Sequence, residues 1–221
     1  MFTGLVQAVG TVCEVCQIPD GVRLTIDPAG WSPRATQGGS VSVNGCCLTL
    51  TADPADAGGK LGFIAIPETL GKTILGGLTP GSRVNLETAV SAQTLMGGHF
   101  VQGHVDGVGS VTQISKPDQT HGECRVRLSP PAALMKFMSP KGSVCLDGVS
   151  LTIAEIGPGN RQGQGGWIEI ALIPETLEKT TLGSWKIGDR VNIEADMLAK
   201  TVIQFLENYA GPVVPTKETE S

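Results

Sequence analysis

The chain has 221 residues, 17% of them charged, and a formal net charge of −5, enough length for one large domain or two of about 100 residues with proper cores. Its sixteen Lys and Arg residues are scattered singly, which excludes a nucleic-acid or anionic-membrane surface built on clustered positive charge. The 30 glycines and 14 prolines, set among short Val/Leu/Ile/Thr runs, favour short strands joined by tight turns.

The opening "MFTGLVQAVG" lacks the basic start and long apolar stretch of a signal peptide, and no apolar run is long enough to cross a membrane. A cytoplasmic location is expected, with the six cysteines as free thiols. Alternation of apolar and polar residues then marks strands at "GLVQAVGTV", "VRLTI", "SVSVNG", "CLTLT", "LGFIAI" and "RVNLET". Cys13 and Cys16, in "CEVC", have the spacing of half a zinc site, but no second pair completes it; two thiols on a strand and its turn is the better reading, and no metal is expected. "PETL" at 67–70 opens a turn of helix, with proline at its start.

The second half repeats the first. Residues 1–12 align with 100–111, pairing Gly4 with Gly103, Val6 with Val105 and Gly10 with Gly109. Residues 38–51, "GGSVSVNGCCLTLT", align with 141–154, "KGSVCLDGVSLTIA". Residues 65–90 align with 172–197, with fourteen of twenty-six positions identical. The offset drifts slowly from 99 to 103 to 107, as a duplicated domain with small loop insertions would give. One insertion is the Gly-rich 157–166, longer than its partner "DPADAGG". An all-β fold is expected: two tandem six-stranded antiparallel Greek-key barrels, over 1–97 and 98–197. In the second half "SPPAALMKFMSP" (129–140) reads as a short helix capped by Ser129 and ended by Pro140. After the barrels, 198–210 is an amphipathic helix with Leu198, Val202, Phe205, Leu206 and Tyr209 on one face. That face could pack on its own barrels or on copies of itself. The tail, 211–221, is expected to be disordered.

No Walker loop, G-x-G-x-x-G, H-E-x-x-H or G-x-S-x-G is present. The candidate chemistry lies in polar residues repeated inside apolar strands: Ser40/Ser143, Asn44/Asp147, Cys47/Ser150 and Thr49/Thr152, around a glycine turn. Asn-Gly and Asp-Gly are also hairpin pairs, so the turn alone is as well explained by backbone geometry. His104 stands where the first half has Leu5, and Lys141 where it has Gly38. With Asp147 and Ser150 they concentrate titratable groups in the second half, as proton transfer requires. His99 and His104, five apart, would lie on opposite strand faces and make a poor metal pair; either could be structural. Arg83/Arg190 and Glu87/Glu194 recur in "R-V-N-[LI]-E" and read as strand-end ion pairs, and Asp196 replaces Ala89.

"MFTGLV", "NGCCLT", "GGHFVQGHVDG", "DGVSLT", "IPETLEKTTLG" and "VNIEAD", in this order, resemble the riboflavin synthase alpha-chain family from residue 1 to about 206. The resemblance implies a homotrimer held by C-terminal helices, with active sites between subunits. It implies dismutation of two 6,7-dimethyl-8-ribityllumazine molecules to riboflavin and 5-amino-6-ribitylaminopyrimidinedione, without cofactor or metal. It implies catalytic roles for Ser150, Lys141, Asp147, His104, Cys47 and Phe2. Substrate contacts would come from Gly4, Val6, Ser40, Asn44, Thr49, Gly62, Pro67, Glu68 and Thr69 in the first half. Gly103, Val105, Thr152, Ile173, Pro174, Thr176 and Asp196 would supply them in the second. It leaves association with a lumazine synthase shell open. Two other readings are a non-catalytic lumazine- or flavin-binding antenna protein, which would lose part of this residue set, and a flavin reductase, for which the chain has no nucleotide domain.

Overall fold

The computed structural model describes residues 1–115, 124–158 and 165–209. Among these residues twelve strands form two antiparallel six-stranded sheets in the same connection pattern. The first comprises β1 (Ala8–Ile18), β2 (Gly21–Asp27), β3 (Ser40–Val43), β4 (Cys46–Thr49), β5 (Leu61–Ala65) and β6 (Arg83–Thr88). Its order is β4-β3-β6-β1-β2-β5. A bridge between Leu50 and Phe63 and a hydrogen bond from Thr51 N–H to the Gly62 carbonyl (2.9 Å) join the two outer strands. The second comprises β7 (Gly107–Ser115), β8 (Cys124–Ser129), β9 (Ser143–Leu146), β10 (Val149–Gly157), β11 (Trp167–Leu172) and β12 (Arg190–Ala195), closed as a barrel. Closure removes the free strand edges of the second, the single bridge draws together those of the first, and inward alternation fills each interior. Leu24, Ile26, Val41, Leu61, Phe63 and Leu86 are fully buried in one core; Leu128, Leu146, Ile153, Ile168, Ile170 and Ile193 in the other.

The β1 strand begins at Ala8, later than alternation suggests. Residues Gly4–Val6 instead belong to a crossing segment, described below, and Gln7 N–H returns to the Leu86 carbonyl of β6 (2.9 Å). Both "PETL" turns form, as α1 (Pro67–Lys72) and α2 (Pro174–Lys179), each with proline at its first position. The expected helix over 129–140 is corrected. Ser129 ends β8, and only Ala132–Phe137 coils, as a 3-10 helix with Pro131 at its N-cap and no capping side chain. Adjacent prolines offer neither amide donors nor a capping oxygen, which leaves a tight short turn. The expected disordered tail, 211–221, and the centre of the 157–166 insertion lie outside the described residues.

The two barrels meet at their hairpin turns. Asn44-Gly45 and Asp147-Gly148 all have positive φ, from 44° to 83°, the geometry of a two-residue primed turn. A Cβ on Gly45 would stand 2.7 Å from the Gly148 nitrogen, and one on Gly148 2.8 Å from the Gly45 nitrogen, so only glycine permits this approach. Around the turns the hydrogen bonds are reciprocal. Asn85 Nδ2 donates to the Asp147 carbonyl and Asn192 Nδ2 to the Asn44 carbonyl, both at 2.8 Å. Asn44 Oδ1 accepts from Asn85 N–H (2.7 Å), as Asp147 Oδ1 does from Asn192 N–H (2.8 Å). The asparagines of "R-V-N" thus pin the barrels together along their internal near-symmetry.

The final helix, α3 (Met197–Tyr209), is fastened to the second barrel by its polar side, through Lys200–Asp106 (2.9 Å) and Lys136–Glu207 (2.8 Å). No residue of α3 is buried. Leu198, Val202, Phe205, Leu206 and Tyr209 are left open, Phe205 being 60% exposed. Of the two places open to this apolar face, its own barrels do not cover it.

Candidate active site

The segments before β1 and β7 do not stay with the strands that follow them. Phe2 and Val101 pair as an antiparallel bridge between the barrels, with Phe2 N–H donating to the Val101 carbonyl (2.7 Å). Beyond that bridge each segment reaches the other half. Ser150 N–H donates to the Gly4 carbonyl and Cys47 N–H to the Gly103 carbonyl, both at 2.8 Å. Val6 packs on the core of the second barrel and Val105 on that of the first. A Cβ on Gly4 would fall 2.6 Å from Ser150 Cβ, and one on Gly103 2.6 Å from Cys47 Cβ, and both glycines have left-handed φ.

Carboxylates fix these crossings. Glu87 accepts from Thr3 N–H and Oγ1 (both 2.7 Å) and Gly4 N–H (3.0 Å). Glu194 accepts from the successive amides of Gln102 (2.7 Å), Gly103 (2.9 Å) and His104 (3.0 Å). Each is 2% exposed, and burial raises both pKa values against the opposing effect of these bonds. The expectation of strand-end ion pairs is therefore corrected: the glutamates grip backbone amides.

The crossings create two different sites. At the first barrel a cavity of about 230 Å³ is lined by Cys46, Cys47, Glu68, Thr69, Lys72, Thr73, Gly103, His104 and Val105. Glu68 and Lys72 form an ion pair at 2.9 Å on its rim. Cys46 is buried and its thiol is pushed up to about 12 by desolvation, whereas Cys47 is half-buried. His104, grouped by sequence with Asp147, Ser150 and Lys141, thus stands with Cys47.

At the second barrel Ser150 Oγ lies 2.7 Å from His99 Nδ1, and a Cβ on Gly98 would meet Ser150 Oγ at 3.0 Å. His99 Nε2 is buried without a hydrogen-bond partner. Burial lowers the His99 pKa while the charge of Asp196 partly offsets it, so the imidazole is neutral near pH 7. A neutral ring bonded to a hydroxyl can accept the proton of that hydroxyl or relay one from a bound ligand. From the sequence His99 reads only as a poor metal partner of His104 or as a structural residue. Aligned at an offset of 99 it has no counterpart in the first half, so comparison of the halves could not single it out.

Other expected residues are placed elsewhere. Asp147 is buried at the turn between the barrels, bonded to Asn192 N–H, and faces a groove that also holds Trp185, Asp189 and Arg190. Asn44 occupies the equivalent position. Lys141 is exposed, with φ 66°, and its N–H closes the β9–β10 hairpin on the Ile153 carbonyl (2.8 Å). Phe2 is wholly buried with Val101, Cys145 and Cys47, so its ring joins the barrels. Ser40 pairs with Thr49, and Ser143 with the exposed Thr152, at the far ends of the two hairpins. Gly62 lies against Thr51 Oγ1. Pro67 begins α1, which carries Thr69, and Pro174 begins α2, which carries Thr176; Ile173 precedes the latter and is exposed. Asp196 caps α3 by accepting from Leu198 N–H (2.8 Å). Among the described residues no group of three or more His, Cys, Asp and Glu could hold a metal ion.

The model of the lumazine binding domain matches this chain twice, over residues 3–89 and 102–196. The chain belongs to the riboflavin synthase family of duplicated lumazine-binding domains. It is 41% identical to riboflavin synthase of Mycobacterium tuberculosis over 94% of this chain and 99% of that protein. Riboflavin synthase of Bacillus subtilis is 36% identical over 93% of this chain and 90% of its own length. That of Saccharomyces cerevisiae is 37% identical over 99% and 93%. Among solved structures, LumP complexed with riboflavin matches with a TM-score of 0.74 at 26% identity, over 88% of this chain and 99% of that one. LumP complexed with 6,7-dimethyl-8-(1'-D-ribityl) lumazine gives 0.72 at 25%, with the same coverage.

Proposed function

We propose that the chain is a riboflavin synthase, a transferase that converts two molecules of 6,7-dimethyl-8-ribityllumazine into riboflavin and 5-amino-6-ribitylaminopyrimidinedione. Atoms balance between the two lumazines and the two products, so the reaction calls for no oxidant or co-substrate. The observation that carries this reading is the inequivalence of the two related sites: Cys47 with His104 at one barrel, Ser150 with His99 at the other. Two copies of one molecule must play different parts, one losing a proton from its 7-methyl group and the other being attacked. A duplicated fold with divergent side chains supplies that difference.

In this reading the neutral His99 and the Ser150 hydroxyl handle the proton at the second barrel. Cys47 and His104 activate the acceptor at the first. Thr69 and Thr176, one on each PETL helix, offer hydroxyls to the ribityl chains. Bringing both rings into one stacked pair supplies much of the acceleration by removing translational freedom before the chemistry. The open apolar face of α3 supports a homotrimer, in which a site on the first barrel of one subunit faces the second barrel of its neighbour. No helix among the described residues is long and apolar enough to cross a membrane, in keeping with action in the cytoplasm.

The likeness to LumP favours a second reading, a non-catalytic carrier of lumazine. Titration with 6,7-dimethyl-8-ribityllumazine separates the two. The synthase binds two per chain and releases riboflavin; bound lumazine that persists unchanged identifies the carrier.

A further inference from the structure

Glu87 and Glu194 sit on the last strands of the two barrels, yet neither serves the site of its own barrel. Three consecutive amides of Gln102, Gly103 and His104 converge on Glu194, a small anion-binding nest with the carboxylate as its built-in anion. The peptide held this way carries the Gly103 carbonyl onto Cys47 N–H and the His104 side chain into the cavity beside Cys47. Glu87 does the same in mirror fashion: it holds Thr3 and Gly4, and the Gly4 carbonyl takes the Ser150 N–H.

We infer that Glu194 is the positioning residue for the Cys47–His104 site on the first barrel, and Glu87 for the Ser150–His99 site on the second, so that each barrel sets the geometry of the opposite site. The inference rests on the reading of these as the two substrate sites. Chemically, a buried carboxylate accepting several amides is a rigid anchor, because any displacement leaves donors unpaired in a dry environment. Replacing one oxygen by an NH2 group turns part of that anchor against the amides it held. The segment must then shift, and with it the residues on the far barrel.

The test uses the full-length chain without substrate, carrying Glu194→Gln or Glu87→Gln. Alkylation of Cys47 by iodoacetamide is followed by peptide mass spectrometry, and the His99 and His104 ring resonances by NMR. Glu194→Gln is expected to change the Cys47 alkylation rate severalfold, up to the roughly 10²-fold that a 1 Å misplacement can cost, and to move His104 while His99 stays. Glu87→Gln is expected to move His99 and leave the Cys47 rate unchanged. A purely structural role would loosen both sites alike; that result, or an effect of each variant on its own barrel, overturns the inference. Where a glutamine variant does not fold, Glu194→Asp and Glu87→Asp keep the charge and are expected to give the same crossed pattern at smaller size. Because these readouts need no turnover, a crossed pattern in a protein that makes no riboflavin defeats the assigned reaction and leaves the positioning role standing.

Discussion

Ser150 Oγ and His99 Nδ1 are 2.7 Å apart, while the other nitrogen of that ring is buried with no partner. An unpaired buried polar atom is costly, and such groups cluster where a ligand or a proton is to be received. Ser150→Ala and His99→Gln should each lower kcat by roughly 10²–10⁴. Because the His99 pKa is lowered, the acidic limb of the pH–rate profile should fall below 6.5, the ordinary imidazole value. Steady-state rates across pH check both points; a full rate in His99→Gln would remove the ring from the chemistry.

Cys46 and Cys47 are neighbours with opposite environments. The thiol of Cys46 is held near 12 by burial, with the charges of Cys47 and Glu194 adding to it, while Cys47 opens onto the cavity. Thiolate is the reactive form, so Cys47 should alkylate at pH 8 and Cys46 should not. Lumazine should protect Cys47 from the reagent. Mass spectrometry of tryptic peptides distinguishes the two sulfurs, and modification of Cys46 first would contradict this picture.

Asp147 differs from Asn44 in its setting. Burial pushes its carboxyl up from 3.8 to about 7, with bonds from Asn192 N–H and the Trp185 indole opposing the rise and Asp189 adding to it. A carboxyl whose folded pKa is raised binds its proton more tightly when folded. Stability therefore falls as pH climbs from about 4 to 7, and the loss is complete above that range. Asp147→Asn, which removes the titrating group, should abolish this slope. Urea melts at pH 5 and pH 8 test it; an unchanged pH slope in the variant would show that Asp147 is not the group responsible.

How much of this was legible in the sequence varies with the range of the interactions. The Asn-Gly and Asp-Gly hairpins, the PETL turns and the strand alternation are local, and each stands where the pattern puts it. Gly4–Val6 alternate like a strand too, but the Gly4 carbonyl takes the Ser150 N–H and Val6 packs on the far barrel, which no local pattern encodes. Glu87 and Glu194 follow arginine and asparagine in "R-V-N-[LI]-E", so an ion pair is the natural expectation; only the fold reveals the amides they meet. By sequence His104 groups with the second-half set, because sequence assigns a residue to the half it belongs to, whereas the crossing assigns it to the other. The signal that did carry across was the duplication, since a change at a repeated position, such as Leu5 to His104, marks where the halves diverge.

The apolar side of α3 makes an assembly prediction. Phe205→Asp with Leu206→Asp should leave each chain folded, because no residue of the helix is buried in it, yet dissociate the oligomer. Light scattering after size exclusion reads the mass directly: three copies for the parent and one for the variant. A monomeric parent would refute the trimer.

Two lumazines are expected to react with each other across two unlike sites of one protein. The most direct measurement is the yield from 6,7-dimethyl-8-ribityllumazine supplied alone, in the presence of EDTA. We expect half a mole of riboflavin and half a mole of the pyrimidinedione for each mole consumed, at a rate the chelator does not change. Fluorescent binding without riboflavin, a different ratio, or a rate that collapses with EDTA would contradict it.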